Sequence, residues 1–137
     1  MRRILGAFIL VVAAMLGATA PAQAGVWGTL TNDTDWGFSA GRFGRGGASC
    51  PTWNGDGGNT YRNTTFTCEE TSVGPRTTTG YWFDVDGFTV KYLGFPYTVC
   101  FPTGPCRNIP SGVYTRIHDW EIARCSGYRP VCTVTWK

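Results

Sequence analysis

The stretch YTRIHDWEIARC, residues 114–125, gathers the chain's one histidine, His118, with Asp119, Glu121, Arg116 and Arg124. A histidine and a glutamate held in one cleft can serve as general acid and base, and an arginine beside them can stabilise an anionic transition state. Whether they meet depends on the backbone. In an extended strand Val113, Thr115 and Ile117 share a face, yet Trp120 and Ile122 have the opposite parity, so the pattern requires a bend or bulge between Ile117 and Trp120. His118 and Asp119 fall at that break. Adjacent strand residues point to opposite faces, which makes His118 and Asp119 poor partners for a relay, and no serine stands in a GxSxG elbow. The cluster is chemistry only if the bend borders a pocket; otherwise it is a polar turn with Glu121 facing water.

In residue types alone, the set is similar to that of the small secreted guanyl-specific ribonucleases, which use Glu, His and Arg on a sheet. The sequence patterns of that family are absent here. The resemblance implies a small secreted hydrolase with His118 and Glu121 as acid and base, the alternative to the reading that follows.

Aromatic content points elsewhere. The chain holds six Trp, six Tyr and eight Phe, more than a small domain can hide. In GYWFDV, residues 80–85, Tyr81 and Phe83 on the core face would turn Trp82 outward beside Asp84. An exposed ring beside carboxylates or amides suits the apolar face of a sugar, or a protein interface. Trp53, in a glycine-rich stretch, is a second candidate for exposure, whereas Trp27, Trp36, Trp120 and Trp136 read as core. CFPTGPC, residues 100–106, is a loop with two prolines closed by cysteines, presenting Thr103 and Gly104 as a rigid recognition tip of the kind inhibitors of secreted proteases use.

Metal chemistry is weakly supported. Asp84, Asp86 and Gly87 form DxDG, half of a calcium loop, without the third ligand or distal glutamate. Residues 54–59, NGDGGN, form an oxygen-rich loop that calcium would suit, with Asp33 or Asp35 nearby. Both stretches have simpler explanations as turn and loop, so no metal and no cofactor is expected.

The elements that must position these residues are strands. Alternation by two recurs along the chain, and no segment has the spacing of an amphipathic helix. The expected strands are 26–31, 35–40, 60–68, 80–85, 88–93, 96–101, 112–117, 120–125 and 131–137, rich in Thr, Val, Tyr, Trp and Phe. Asp86-Gly87 predicts a tight hairpin between 80–85 and 88–93, and residues 41–59, with seven glycines, predict a long surface loop. Eight to nine short strands give an all-β fold, a single-domain β-sandwich or small closed barrel.

Residues 1–24 read as a signal peptide: Arg2 and Arg3, an apolar run from Ile4 to Ala18, then Ala22-Gln23-Ala24. The run is shorter than the roughly 20 residues a spanning helix needs, so no membrane anchor is expected. Removal leaves residues 25–137 as one β domain and lowers the net charge from +3 to +1, which gives no electrostatic argument for nucleic acid. The six cysteines, Cys50, Cys68, Cys100, Cys106, Cys125 and Cys132, all follow residue 24 and lack zinc-site spacing. In an oxidising compartment they read as three disulfides, and short turn-bearing loops favour sequential pairing. The sequence thus points to a secreted, extracellular binding protein, non-enzymatic, recognising a carbohydrate or cell-wall polymer or another secreted protein such as a protease. A membrane-active toxin is the lesser alternative, with no exposed apolar segment arguing for it.

Overall fold

The computed structural model describes residues 27–54, 64–80 and 82–137, and among these the chain is all β. The described residues form ten strands: β1 (Thr29–Asp33), β2 (Phe38–Trp53), β3 (Thr64–Val73), β4 (Thr77–Thr78), β5 (Gly87–Val90), β6 (Tyr97–Cys100), β7 (Arg107–Ile109), β8 (Tyr114–Arg116), β9 (Glu121–Ser126) and β10 (Val131–Trp136). The first sheet has the order β4-β1-β9-β10-β6-β7 and the second β3-β2-β5-β8. The signal peptide expected at residues 1–24 lies outside the described residues.

One hydrophobic core joins the two sheets. Leu30, Val99, Ala123 and Val134 reach it from the first, and Phe38, Phe88 and Val90 from the second. Alternation explains the inward set on β9 and β10, where Ala123, Cys125, Cys132 and Val134 are buried and their neighbours are not. β5 is different, since all four of its residues are buried between β2 and β8. A polar tie between the sheets is Tyr97 of β6, fully buried, whose hydroxyl meets the Val113 carbonyl at 2.6 Å and Thr115 Oγ1 at 2.9 Å. The geometry fits a Tyr97 hydroxyl donating to the carbonyl while accepting from Thr115. The Phe88 carbonyl lies at 3.2 Å.

β2 departs most from the sequence reading. Residues 41–53 belong to a strand and not to a loop, because β2 continues past a register shift between Phe43 and Ala48 and pairs with β3 on both sides of it. The glycines serve that irregularity: Gly44 and Gly46 have φ of 77° and 73°, and a Cβ at Gly46 would lie 2.6 Å from the Cys68 carbonyl oxygen. Beyond the bulge, Thr52 and Trp53 pair in parallel with Tyr114 and Thr115 of β8. The start of β2 pairs with β5, which itself pairs with β8, so the long strand meets both ends of one ladder.

The hairpin expected at Asp86-Gly87 is absent. Described residues of 80–85 form turns and bends rather than a strand, with Val85 N–H donating to Gly28 and Asp86 N–H to Gly41. Gly87 opens β5, where a Cβ would stand 2.6 Å from the Phe43 ring. The sequence also offered no signal for the short strands β4 and β7.

The disulfides are Cys50–Cys68, Cys100–Cys106 and Cys125–Cys132, the sequential pattern. Cys125 and Cys132 are directly opposed on β9 and β10, and Cys50–Cys68 ties β2 to β3 beside the bulge. Each short closed loop contributes roughly 2 to 3 kcal/mol on the chain-entropy account.

Removing the Tyr97 hydroxyl by Tyr97→Phe leaves the Val113 carbonyl and the Thr115 hydroxyl buried with one partner fewer. It is expected to cost about 1 to 3 kcal/mol in denaturant unfolding. A loss below a few tenths of a kcal/mol would show that the tie is not a stabilising contact.

Candidate functional site

The bend required by parity is a tight turn. Glu121 N–H donates to the His118 carbonyl at 3.1 Å, and Trp120 takes a φ of 70°. The left-handed backbone costs a non-glycine residue of order 1 kcal/mol or more. The Glu121 carboxylate offsets part of that cost by accepting from the His118 N–H at 2.7 Å. Glu121 is buried in this role and does not face water.

This turn forms one wall of a cleft of about 1130 Å³. Arg116, His118, Asp119, Trp120 and Glu121 line that wall, and Phe101, Pro102, Thr103, Gly104 and Pro105 line another. Trp53 and Asn54 at the end of β2, Arg107 at the start of β7, and Trp136 and Lys137 at the end of β10 complete it. The two walls converge because β6 leads into the Cys100–Cys106 loop and β8 leads into the His118 turn, with Tyr97 bonded between the two strands.

Four of the sequence candidates, His118, Glu121, Arg116 and Trp53, therefore meet at one cleft, together with Thr103 and Gly104. Trp53 needs a correction: it lies in β2 and only 4% of it is exposed, its ring packed edge-on to Phe101 with centroids 5.7 Å apart. Arg124 is exposed on β9 and does not line the cleft. Trp82 is turned outward, 63% exposed, but on a surface apart from the cleft, its ring edge-on to Phe83. The residues that sequence reasoning missed are Trp120 and Trp136, read as core yet 52% and 76% exposed at the cleft, and Arg107. Trp36, by contrast, does pack against the core.

A smaller hollow of about 440 Å³ lies across the turn, bounded by Phe43, Phe66, Asp86, Arg116, Ile117, His118 and Asp119. The Phe43 and Phe66 rings stack at 4.5 Å, and the Arg116 guanidinium sits over Phe66 at 5.6 Å. Near it, carboxylate oxygens of Asp84, Asp86 and Asp119 lie within 4.8 Å of one another. Asp119 is the third carboxylate that the DxDG motif lacked locally. Two of the three are anchored by backbone: Asp84 accepts from Gly28 N–H at 3.1 Å and Asp86 from Phe43 N–H at 2.7 Å. These anchors account for Asp84 and Asp86 without a cation. Asp84 thus serves the backbone through Gly28. Asp35, the other acidic candidate for calcium, is paired with Arg76 at 3.0 Å, and residues 55–59 of the oxygen-rich loop lie outside the described residues.

Burial, reinforced by the neighbouring Asp86 and Asp119 charges, raises the Asp84 carboxyl above its ordinary value of 3.8, against the Gly28 N–H and Arg42. Burial likewise raises Asp86, with Asp119 adding and the Phe43 N–H, Arg116 and Arg42 opposing. Raised folded-state values mean that these groups stabilise the fold fully below about pH 3.8, and that this contribution is lost as pH rises through the raised values. Glu70 works in the opposite sense, held low by hydrogen bonds from Lys91 and Tyr114. Asp84→Asn keeps an acceptor for Gly28 while removing one charge. Urea unfolding at about pH 4 and about pH 7 should show the variant losing less stability than the wild type over that interval. An equal loss would contradict the raised Asp84 carboxyl, whose first cause is burial.

Compared with known proteins, the chain matches no family model, no curated protein and no solved structure.

Proposed function

We propose that this chain is a secreted, non-enzymatic carbohydrate-binding protein, a disulfide-stapled β-sandwich that takes a segment of glycan or cell-wall polymer into the cleft beside the His118 turn. The observation that carries the reading is the exposure of Trp120 and Trp136 at one cleft whose rigid rim is the Cys100–Cys106 loop. Pyranose rings stack on such indoles, while Asn54, Thr103 and the basic side chains of the same cleft suit their hydroxyls. Three disulfides are consistent with an oxidising, extracellular compartment.

Binding is favoured over hydrolysis by how the carboxylates are used. His118 and Glu121 line the same cleft, but Glu121 is buried and its Oε1 accepts from the His118 backbone, and Asp119 lies within 4.8 Å of the Asp84 and Asp86 carboxylates. Glu121 is thus engaged by the turn's own backbone, whereas the two indoles are exposed. The rim tips Thr103 and Gly104 suit a protein surface as well, so a secreted protein is the second class of partner.

Trp120→Ala and Trp136→Ala are each expected to weaken retention on an insoluble polysaccharide or cell-wall preparation roughly tenfold, as loss of a central aromatic contact does. Because both rings are exposed, the unfolding midpoint should stay near that of the wild type. Full retention by the double variant on every glycan that the wild type binds would remove the cleft as the site. Turnover of RNA or glycan that disappears in a folded His118→Ala protein would replace binding with the hydrolase reading.

A further inference from the structure

We infer that the glycan taken by this cleft is acidic, a polymer whose sugar rings carry carboxylates, held by Arg107 and Arg116 while the indoles of Trp120 and Trp136 stack on the rings. The inference rests on the carbohydrate reading of the same cleft and adds the charge of the ligand.

Its basis is an imbalance in how the charges of the cleft are partnered. Ion pairs among the described residues engage Arg42, Arg76 and Lys91, and none engages Arg107 or Arg116. Both residues are half-buried, and no carboxylate is ion-paired to either guanidinium. The acids of the cleft do not supply one: Glu121 is bonded to the His118 N–H, and Asp119 lies with Asp84 and Asp86. What remains facing the cleft is two forked donors beside aromatic rings. A guanidinium fork matches a carboxylate in a bidentate, planar contact, and such charge-assisted bonds exceed those to a neutral hydroxyl.

The two arginines are not equivalent. Arg116 lies over Phe66, and its charge is also felt by Asp86. Arg107, at the start of β7, has no such neighbour among the described interactions and is the stronger anchor. The contiguity of rings and guanidiniums also orders the recognition: the stapled loop 100–106 places Phe101 and Arg107 on either side of its disulfide, so the bridge fixes ring and cation relative to each other.

The test compares oligogalacturonate, its methyl ester and a neutral chitooligosaccharide, with affinities measured by calorimetry at low and at physiological salt. The acidic form should bind at least tenfold more tightly than the ester, and its affinity should fall as salt rises. Arg107→Gln should weaken the acidic form about tenfold and Arg116→Gln by less, whereas Arg124→Gln, outside the cleft, should leave it unchanged. Equal affinity for acid and ester, or an unchanged Arg107→Gln protein, would overturn the acidic ligand while leaving the carbohydrate reading in place. Binding to none of the three, or binding indifferent to Trp136→Ala, would overturn the carbohydrate reading itself.

Discussion

The hydroxyl of Tyr97 is a polar group at the centre of an apolar core, and its partners lie on the opposite sheet. It sits between the Val113 carbonyl and the Thr115 hydroxyl, with the Phe88 carbonyl a little further off. An unpaired hydroxyl in that position would cost a large fraction of the stability of a small domain, so the sheets are held where the bond can form. Its consequence reaches the surface. Tyr97 stands three residues before Cys100, and Thr115 three residues before His118, so the bond that aligns β6 with β8 also sets the spacing between the two walls of the cleft. The disulfide across residues 100–106 and the carboxylate of Glu121 then stiffen the two walls separately.

Much of this frame is legible in the sequence, for identifiable reasons. Alternation gave the strand character of β5, β6, β8, β9 and β10, because a half-buried or buried strand imprints its two faces on residue type. Parity located the break at His118–Asp119, since a strand cannot change faces without a turn or an extra residue. The short cysteine spacings pointed to the pairing observed, as turn residues between them bring strands together. Glycine misled in residues 41–53: seven glycines between 41 and 59 read as a loop, yet those at 44 and 46 serve a bulge within a continuous strand. Asp86-Gly87 misled similarly, the glycine being required by the ring of Phe43 and the aspartate by the N–H of Phe43.

The tryptophans show where one-dimensional reasoning ends. Trp136 has the same parity as the buried Cys132 and Val134, which is why it reads as core, but it is exposed at the end of β10 and lines the cleft. Trp53 fails in the opposite direction, because only the parallel pairing of β2 with β8 carries it into the interior. Exposure depends on which distant strand covers a position, and residue type and period carry no information about that. The same limit applies to Asp119, whose approach to Asp84 and Asp86 joins segments 33 residues apart in sequence.

The roles within the cleft separate by chemistry. The Glu121 carboxylate serves the turn's backbone, while the indoles of Trp120 and Trp136 are exposed at the cleft, and the proposed binding role rests on that division. The most direct measurement is a 1H–15N spectrum of the protein recorded while oligogalacturonate is added. Saturable shifts of the Trp120 and Trp136 indole N–H signals and of the Arg107 side-chain N–H, with the Trp82 indole unmoved, are the predicted result. Shifts confined to Trp82 or scattered over the surface, or none at all, would contradict the assignment of the cleft as the binding site.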